Sequence, residues 1–248
     1  SNLVKENFEV RCVLTKNAEK LIQPLSLSIL SRNNCILDAD QWDRKNSSPL
    51  HIELSNWADI LILAPLTATT LSKWVTGNAE GLVSSILIAN KKPTIVCPAM
   101  NTEMWNNHAV KRNFEKLDTY NNLLVISPCN GLLACDQLGI GKIPPNELIK
   151  LALQFILIQN ETINFNDLKN KSFLISGGAT CEKIDPARTI TNISSGTMGL
   201  LLAQVAKFRG ANVTYIHGPL RVNSELKEGI KTYEIQTSKE LRHSLMSE

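Results

Sequence analysis

The sequence predicts an α/β protein in which parallel β-sheets are covered by helices on both faces. Short β-branched and aliphatic runs alternate along the chain with longer stretches of helical periodicity. Such alternation is typical of parallel sheets, because consecutive parallel strands need a crossover that a helix usually supplies. The alternation starts again near residue 172, which indicates that a second domain of the same class begins there.

The elements are expected in the following order. Strands are predicted at Val10–Leu14, Ile60–Ala64, Thr94–Cys97, Leu123–Ser127, Ser172–Ser176 and Asn212–Ile216. Helices are predicted between them at about 25–52, 68–90, 103–119, 145–159 and 197–209. This order is flavodoxin- or Rossmann-like, and ligands of such sheets bind beyond the carboxyl ends of the strands. Residues that directly follow a strand are therefore the first site candidates.

A polar, asparagine-rich segment at 160–171 has no apolar period and is interpreted as a linker. We therefore expect one domain over residues 1–159 and the first part of a second domain over residues 172–248. The chain does not begin with Met, and we expect that the beginning of the natural protein, with the first strand of its first domain, is missing.

Composition excludes several classes of protein. The 248 residues are 43% hydrophobic and 20% charged with a net charge of +3, which fits a soluble globular protein and gives no basis for nucleic-acid binding. No apolar run approaches the ~20 residues of a membrane span, and no signal-peptide pattern is present. The six cysteines form no C-x-x-C pair, so free thiols in a reducing cytoplasm are expected.

Two polar residues of the first half stand near strands. His51 opens a short helical stretch before the second strand; it is either a solvent-exposed residue at a helix start or a base beside a cofactor. Asn101 follows the strand Thr94–Cys97 in Pro98-Ala-Met-Asn-Thr-Glu-Met-Trp105. That segment is either an ordinary strand end and helix start or an anchor for a carboxylate, since a short amide can donate and accept at once.

Two glycine-rich segments complete the candidates. Three glycines between Gly131 and Gly141 surround Cys135, a pattern that is common in loops but also suits a mobile flap whose thiol acts as an acid. In the second half a glycine turn follows a strand, and Ser194-Ser195-Gly196 opens a helix. Backbone N–H groups in such places bind phosphate, but an ordinary Rossmann-like turn explains them equally well.

The first-half motifs together resemble the flavin-containing cysteine decarboxylases, within them the decarboxylase half of the bifunctional coenzyme A enzymes. The resemblance covers residues 8–158, and its P-A-M-N-x-x-M-W motif is complete and specific. The matching residues are His51, Ala58-Asp59, Ala64-Pro65, Thr67-Ala68, Pro98 to Trp105 and Gly131 to Gly141.

The resemblance implies FMN-dependent decarboxylation of phosphopantothenoylcysteine: the flavin oxidises the cysteine moiety to a thioaldehyde, carbon dioxide leaves, and reduction completes the cycle. His51 would assist the first step, Asn101 hold the carboxylate and Cys135 supply the final proton. Residues implied to contact FMN are Thr15, Pro65, Thr67, Ala68 and Met100. Residues implied to contact substrate are Asn101, Met104, Ala134 and Cys135.

Residues from Ile184 to Gly199 resemble the start of phosphopantothenate–cysteine ligase, through the pattern I-D-P-x-R-x-I-x-N-x-S-S-G-x-M-G. The resemblance implies CTP and Mg²⁺ as reactants of this half, phosphopantothenate and cysteine as substrates, and Asn192 as the residue that steadies the acyl-cytidylate. The residues implied to bind nucleotide are Gly177, Gly178, Ser194, Ser195 and Gly196; none is assigned to the metal.

The chain departs from the two families at four positions: Thr69 stands for Asn, Asp136 for Gly, Lys142 for Arg and Thr197 for Lys. The families also have a glycine- and serine-rich phosphate turn before this chain begins and further ligase segments after it ends, so both sites are expected to be incomplete here. A trimer-based assembly, with the flavin site between subunits and ligase halves paired as dimers, is implied.

Three alternatives remain open from the sequence. Flavin prenyltransferases share the fold and FMN, but lack the complete motif and the cysteine flap. Non-catalytic regulators of this fold bind protein phosphatases, generally after losing the positions matched here by His51, Asn101 and Cys135, and with acidic tails added. As the third alternative, the chain is an inactive fragment of an active parent protein.

Overall fold

The structure is a computed structural model that describes residues 1–44, 47–159 and 164–248. The elements of the first half, in chain order, are α1 (Asn2–Lys5), β1 (Val13–Leu14), α2 (Pro24–Ser31), β2 (Ile36–Leu37), α3 (Leu50–Trp57), β3 (Leu61–Leu66), α4 (Ala68–Val75), α5 (Leu82–Ala89), β4 (Thr94–Pro98), α6 (Thr102–Asn106), α7 (His108–Leu117), β5 (Leu123–Val125), β6 (Cys129–Leu132), β7 (Leu138–Lys142) and α8 (Asn146–Ile158).

The second half continues with β8 (Ser172–Gly177), β9 (Cys181–Lys183), β10 (Thr189–Thr191), α9 (Thr197–Phe208), β11 (Asn212–His217), β12 (Lys231–Glu234) and α10 (Ser238–Ser247). Short 3₁₀ turns lie at Ala18–Lys20, Asp38–Trp42 and Ser224–Lys227. Within the three described ranges, no helix combines the length and apolar character that a membrane span requires.

The first half is built on a parallel sheet of order β3–β4–β5, beside which β1 and β2 form a parallel pair. Strand β4 is buried along its length. Its Ile95 and Cys97 pack with α8 on one face, and Val96 packs with α4 and α7 on the other. Helices therefore cover both faces, which confirms the predicted α/β class and explains why β4 is a continuous apolar run.

The second half repeats this plan on a parallel sheet of order β12–β11–β8, with α9 packed on β8 and β11. Two antiparallel hairpins stand apart from the parallel sheets. Strands β6 and β7 pair as one, and β9 and β10 pair as the other. The first hairpin occupies the segment that the sequence predicted as a flap.

The two halves share one of the apolar clusters. The ring of Phe155 in α8 lies 6.3 Å from that of Phe165 and 5.9 Å from that of Phe208 in α9, centroid to centroid. Phe165 belongs to the segment interpreted as a linker, yet it is only 2% exposed. Residues 160–163 of that segment lie outside the described residues. In the described remainder Phe165 is the buried residue, and residues 164, 167 and 169–171 are exposed.

One long predicted helix, at 25–52, is wrong. Helix α2 ends at Arg32, whose φ of 60° is the left-handed conformation that terminates helices. The N–H of Ile36 then donates to the carbonyl of Cys12 at 2.9 Å, which adds β2 beside β1. Helix α3 begins only after Pro49. The sequence pattern did not reveal the division of this segment, because α2, β2 and α3 all contain aliphatic residues.

The helices predicted at 68–90 and 103–119 are each divided in two. Gly77 and Gly81 adopt positive φ between α4 and α5, and the Asp38 carboxylate accepts from the N–H of Leu82 at 2.7 Å. Asn107 ends α6 and caps α7 by accepting from the N–H of Ala109 at 2.9 Å. In both places a turn or cap residue overrode the helical pattern.

Candidate active site

Two of the predicted site segments lie at one edge of the first sheet. Strands β3 and β4 are parallel, so the residues after Leu66 and after Pro98 emerge on the same side. The N–H of Ala99 donates to the carbonyl of Leu66 at 3.1 Å and holds the two exits together. Thr15 follows β1 in the neighbouring strand pair.

The exit of β3 offers a small apolar surface and a capped helix. Ala64 and Pro65 are exposed at the end of an otherwise covered strand. Thr67 caps α4, its hydroxyl oxygen accepting from the N–H of Thr70 at 3.4 Å, and Ala68 is the first helical residue. The Thr15 hydroxyl accepts from the N–H of Ala18 at 3.2 Å in a comparable local turn.

Asn101 has its two amide ends committed in different directions. Its Oδ1 accepts from the N–H of Glu103 at 2.8 Å and so caps α6. Its Nδ2 donates to the Sγ of Cys135 at 3.4 Å. The sequence predicted an amide that can donate and accept at once and so anchor a carboxylate, and that role stays a prediction. In the structure the acceptor is used within the loop, so N–H donors are what the side chain can offer a carboxylate.

The β6–β7 hairpin is fixed to the turn that carries Asn101. The N–H of Met100 donates to the carbonyl of Gly141 at 3.0 Å, and the Thr102 hydroxyl donates to the carbonyl of Ile140 at 2.8 Å. A Cβ on Gly141 would lie 1.9 Å from the Met100 carbonyl oxygen, and one on Gly139 would lie 2.2 Å from the Thr102 hydroxyl. Gly141 therefore permits close approach to the Met100 backbone and Gly139 to the Thr102 side chain, whereas the sequence predicted glycines that make a flap mobile.

The tip of the hairpin carries the candidate acid. Cys135 is exposed, and its Sγ donates weakly to the Oε1 of Gln137 at 4.0 Å. Its neighbour Asp136 has a φ of 57°, a left-handed conformation that Asp tolerates better than most residues but Gly adopts freely. Ala134 is also exposed, and Met104 is 46% exposed rather than part of the core.

The structure therefore brings some predicted residues together and leaves others apart. Asn101 and Cys135 are in contact, and Met100 joins them through its backbone. His51, the second residue of α3, is half-buried, and within the described ranges its imidazole has no hydrogen bond or ion pair to either residue. Sequence reasoning missed Thr102 and Gln137, whose hydroxyl and amide have no distinctive pattern around them.

The edge formed by β3 and β4 fits a flat aromatic cofactor such as the flavin implied by the sequence resemblance. Ala64, Pro65 and Ala68 present small side chains at a strand exit, so a ring can lie against them without displacing large groups. Thr67 caps the helix that follows this surface, and Thr15 follows β1 in the neighbouring strand pair. These residues would hold such a group.

The second half contains a similar asparagine. The Oδ1 of Asn192 accepts from the N–H of Ser194 at 2.9 Å, just before α9, and its Nδ2 has no partner among the described residues. Ser195 follows in the same turn, its hydroxyl within 2.7 Å of that of Thr197 at the start of α9. Ser194 is exposed and Ser195 half-buried, so polar groups line an open helix start.

The glycines around this turn pack the helix onto the sheet. The hydroxyl of Tyr215, a buried residue of β11, donates to the carbonyl of Gly196 at 3.0 Å. A Cβ on Gly177 would lie 2.5 Å from the Tyr215 hydroxyl oxygen, and one on Gly196 would meet Leu220 at 2.2 Å. Gly178 and Gly196 also adopt positive φ. The described residues hold no cluster of three or more His, Cys, Asp or Glu suited to a metal ion.

Comparison with known proteins gives two family matches. Residues 1–156 match the family described as "Flavoprotein", and residues 168–248 match the "DNA/pantothenate metabolism flavoprotein C-terminal domain". The Coenzyme A biosynthesis bifunctional protein CoaBC of Borreliella burgdorferi is 38% identical over 97% of this chain and 59% of the relative. CoaBC of Bacillus subtilis is 34% identical over 100% of this chain and 59% of the relative. The chain thus spans about 59% of the length of these relatives.

Two solved structures resemble the first half. A cysteine-to-serine variant of PPC decarboxylase, in complex with pantothenoylaminoethenethiol, is 35% identical with a TM-score of 0.58; the match covers 64% of this chain and 88% of that one. The FMN binding protein AtHal3 is 36% identical with a TM-score of 0.55, and the match again covers 64% and 88% of the two chains.

Proposed function

The chain belongs to the flavoprotein family, and on that premise we propose that its first half is an FMN-dependent decarboxylase of 4′-phospho-N-pantothenoylcysteine. One observation carries the proposal: the outward N–H donors of Asn101 meet the Cys135 thiol at 3.4 Å at the mouth of a strand-end surface. An anion-binding amide and a protic thiol thus face the same point. The similar PPC decarboxylase variant, which holds an aminoethenethiol, supports this choice of substrate.

Asn101 binds the substrate carboxylate through its N–H donors. Its Oδ1 is held by the Glu103 N–H, so the amide cannot turn over and present an acceptor to the anion. Ala64, Pro65 and Ala68, with the Met100 backbone, Thr15 and Thr67, would hold FMN. The cofactor would supply the two-electron oxidation and the later reduction.

Cys135 supplies the proton that completes the reduced product. Its thiol sits on the exposed tip of a hairpin that is fixed at its base, so it reaches the substrate above Asn101 without requiring the whole hairpin to move. Met104 and Ala134, both exposed beside it, contact the pantothenoyl arm. A thiol in this place can donate a proton to the product.

His51 acts in the first step from a neighbouring copy of the chain. Its imidazole makes no described contact with Asn101 or Cys135 in its own chain, as a site completed between subunits requires. The assembly is then a homo-oligomer based on trimers. A mixed-subunit experiment, in which His51→Asn and Cys135→Ser chains are combined, should recover activity that neither variant has alone.

The second half, over residues 172–248 and beyond a linker at 160–171, contributes to ligation of phosphopantothenate to cysteine with CTP and Mg²⁺. The outward amide of Asn192 steadies the acyl-cytidylate, and Ser194, Ser195 and the backbone near Gly177, Gly178 and Gly196 face the nucleotide phosphates. The family match over residues 168–248 and the CoaBC relatives support this assignment.

The test is direct. The full-length parent protein, with the segments that this chain is expected to lack, is purified and given FMN, its visible spectrum is recorded, and carbon dioxide release is followed after addition of 4′-phospho-N-pantothenoylcysteine, beside a Cys135→Ser variant. Yellow protein that releases carbon dioxide, with the variant accumulating an unreduced ene-thiol product, is the expected result. Protein that takes up no FMN and releases nothing would exclude the decarboxylase and favour a regulatory binding protein of the same fold.

A further inference from the structure

Thr102, the first residue of α6, joins the turn that carries Asn101 to the β6–β7 hairpin through its side chain. Its hydroxyl donates to the carbonyl of Ile140 in β7 at 2.8 Å. The Met100 N–H makes a neighbouring bond to β7, but any residue except proline supplies such a backbone donor. The Thr102 hydroxyl is therefore the part of this attachment of β7 that depends on which residue stands in the turn.

The Thr102 side chain lies against β7 at a position where a glycine leaves room for it. A Cβ on Gly139 would lie 2.2 Å from the Thr102 hydroxyl oxygen, 3.3 Å from its Cβ and 3.4 Å from its Cγ2. The hydroxyl reaches the Ile140 carbonyl because residue 139 has no side chain in the way. Thr102 and Gly139 thus form one contact, in which a branched side chain packs on bare backbone.

The tip of the hairpin is tied to the position of β7. Strands β6 and β7 remain paired up to Leu132 and Leu138. Beyond this pair the N–H of Leu133 donates to the carbonyl of Gln137 at 2.9 Å, which closes the tip. A displacement of β7 is then carried along the ladder to Cys135, because paired backbone lies between them.

We propose that Thr102 is a positioning residue for the proton-donating step: by holding β7 against the turn of Asn101, it keeps the Cys135 thiol over the bound substrate. The inference rests on the proposed function of the first half, in which Asn101 binds the substrate carboxylate and Cys135 supplies the last proton. Thr102 acts through the hairpin backbone and not on the substrate. Loss of its hydroxyl should therefore spare the release of carbon dioxide and impair the protonation that follows.

Two substitutions separate the hydroxyl from the volume of the side chain. Thr102→Val removes the donor and keeps a branched side chain, whereas Thr102→Ser keeps the donor. Thr119→Val is the matched control, because the Thr119 hydroxyl also donates to a carbonyl at 2.8 Å, that of Lys116 at the end of α7. All three variants are made in the full-length parent protein.

Backbone hydrogen exchange, followed by mass spectrometry, reports on the hairpin without depending on activity. In Thr102→Val, peptides covering residues 129–142 should exchange roughly fivefold faster than in the wild type, as expected for loss of one hydrogen bond. In Thr102→Ser and Thr119→Val the same peptides should stay within about twofold of the wild type. Unchanged exchange in Thr102→Val would overturn the inference, since the hairpin would then not depend on the hydroxyl.

The products of the reaction show whether the position of the hairpin matters for the chemistry. The ratio of reduced product to unreduced ene-thiol, measured at equal carbon dioxide release, should fall about tenfold in Thr102→Val and recover in Thr102→Ser. An unchanged ratio in Thr102→Val, or a Thr102→Ser variant that is equally impaired, would overturn the positioning role. If the wild type releases no carbon dioxide, the proposed function fails, and the exchange measurement still decides whether Thr102 holds the hairpin.

Discussion

Each half of the chain has an asparagine just before a helix, but the surroundings of the two asparagines differ. Asn101 and Asn192 each stand just before a helix, and each accepts from the backbone N–H two residues further on, at 2.8 Å and 2.9 Å. In both cases this bond leaves the amide N–H donors pointing outward. The first asparagine is covered by the β6–β7 hairpin and meets Cys135, whereas the second faces open space among the described residues.

The two asparagines differ in whether a group that could donate a proton lies beside the amide. In both halves an asparagine is oriented by a hydrogen bond within its own loop. Among the described residues, the Asn101 amide meets a thiol on the β6–β7 hairpin, whereas the Asn192 amide meets none. The substitutions below test this division, beginning with those expected to have the largest effect.

Asn101→Asp should lower the rate of decarboxylation by about 10²–10³-fold and leave the fold unchanged. The new carboxylate still caps Glu103, but it repels the substrate carboxylate in place of donating to it. Carbon dioxide release measures the effect. Asn192→Asp is the matched control and should leave decarboxylation near the wild-type rate; if both variants lose decarboxylation equally, the two asparagines do not serve separate sites.

Gly141→Ala should lower decarboxylation by about 10²-fold through misplacement of Cys135. The new Cβ would fall 1.9 Å from the Met100 carbonyl oxygen, so the hairpin must leave its turn. Gly131→Ala is the control on the opposite strand, since its Cβ would meet only the flexible Lys142 side chain at 3.0 Å. Comparable losses in both variants would contradict a role for close approach at Gly141.

Tyr215→Phe should destabilise the second half by about 1–2 kcal/mol, because the Gly196 carbonyl loses its buried donor. Urea unfolding followed by circular dichroism measures the change. Tyr233→Phe is the comparison, as the Tyr233 hydroxyl bonds the Glu248 carboxylate at 2.7 Å on the surface and its loss should cost well under ~1 kcal/mol. Equal effects would mean that the Tyr215 bond does not hold the turn.

Asp136→Gly should have the smallest effect, a gain of roughly 0.5–1 kcal/mol in stability of the hairpin tip through relief of its positive φ. Decarboxylation should change by less than about twofold, since the bonds at the hairpin base remain. Asp136→Asn removes the charge but keeps a side chain in the left-handed conformation. If Asn and Gly act alike, the charge and not the backbone is what Asp136 contributes.

The alternation of apolar runs was sufficient to predict the parallel sheets. Strand β4, for example, is buried on both faces, and the sequence from Ile95 to Cys97 is accordingly a continuous apolar run. The residues that follow β3 and β4 were also predicted as a site edge. Boundaries were harder. Arg32 ends α2 in a conformation that no sequence pattern marks, and the resulting strand β2 depends on a partner, β1, that is more than twenty residues away.

The site was predicted through its residue types but not through their contacts. The sequence pairs Asn101 with Cys135 only by resemblance, because 34 residues separate them and the hairpin bonds that join them are made by backbone and a common threonine. Likewise the contact between the rings of Phe155 and Phe208 depends on how the halves pack. No periodicity within either half encodes that packing.

The phenylalanine cluster of residues 155, 165 and 208 has a consequence for any attempt to separate the halves. A boundary drawn at 160–171 is reasonable on the sequence, but it cuts through buried aromatic contacts. Each fragment would expose rings that the other now covers, and such a surface promotes aggregation. Expressing either half alone therefore calls for polar replacements at its cut face.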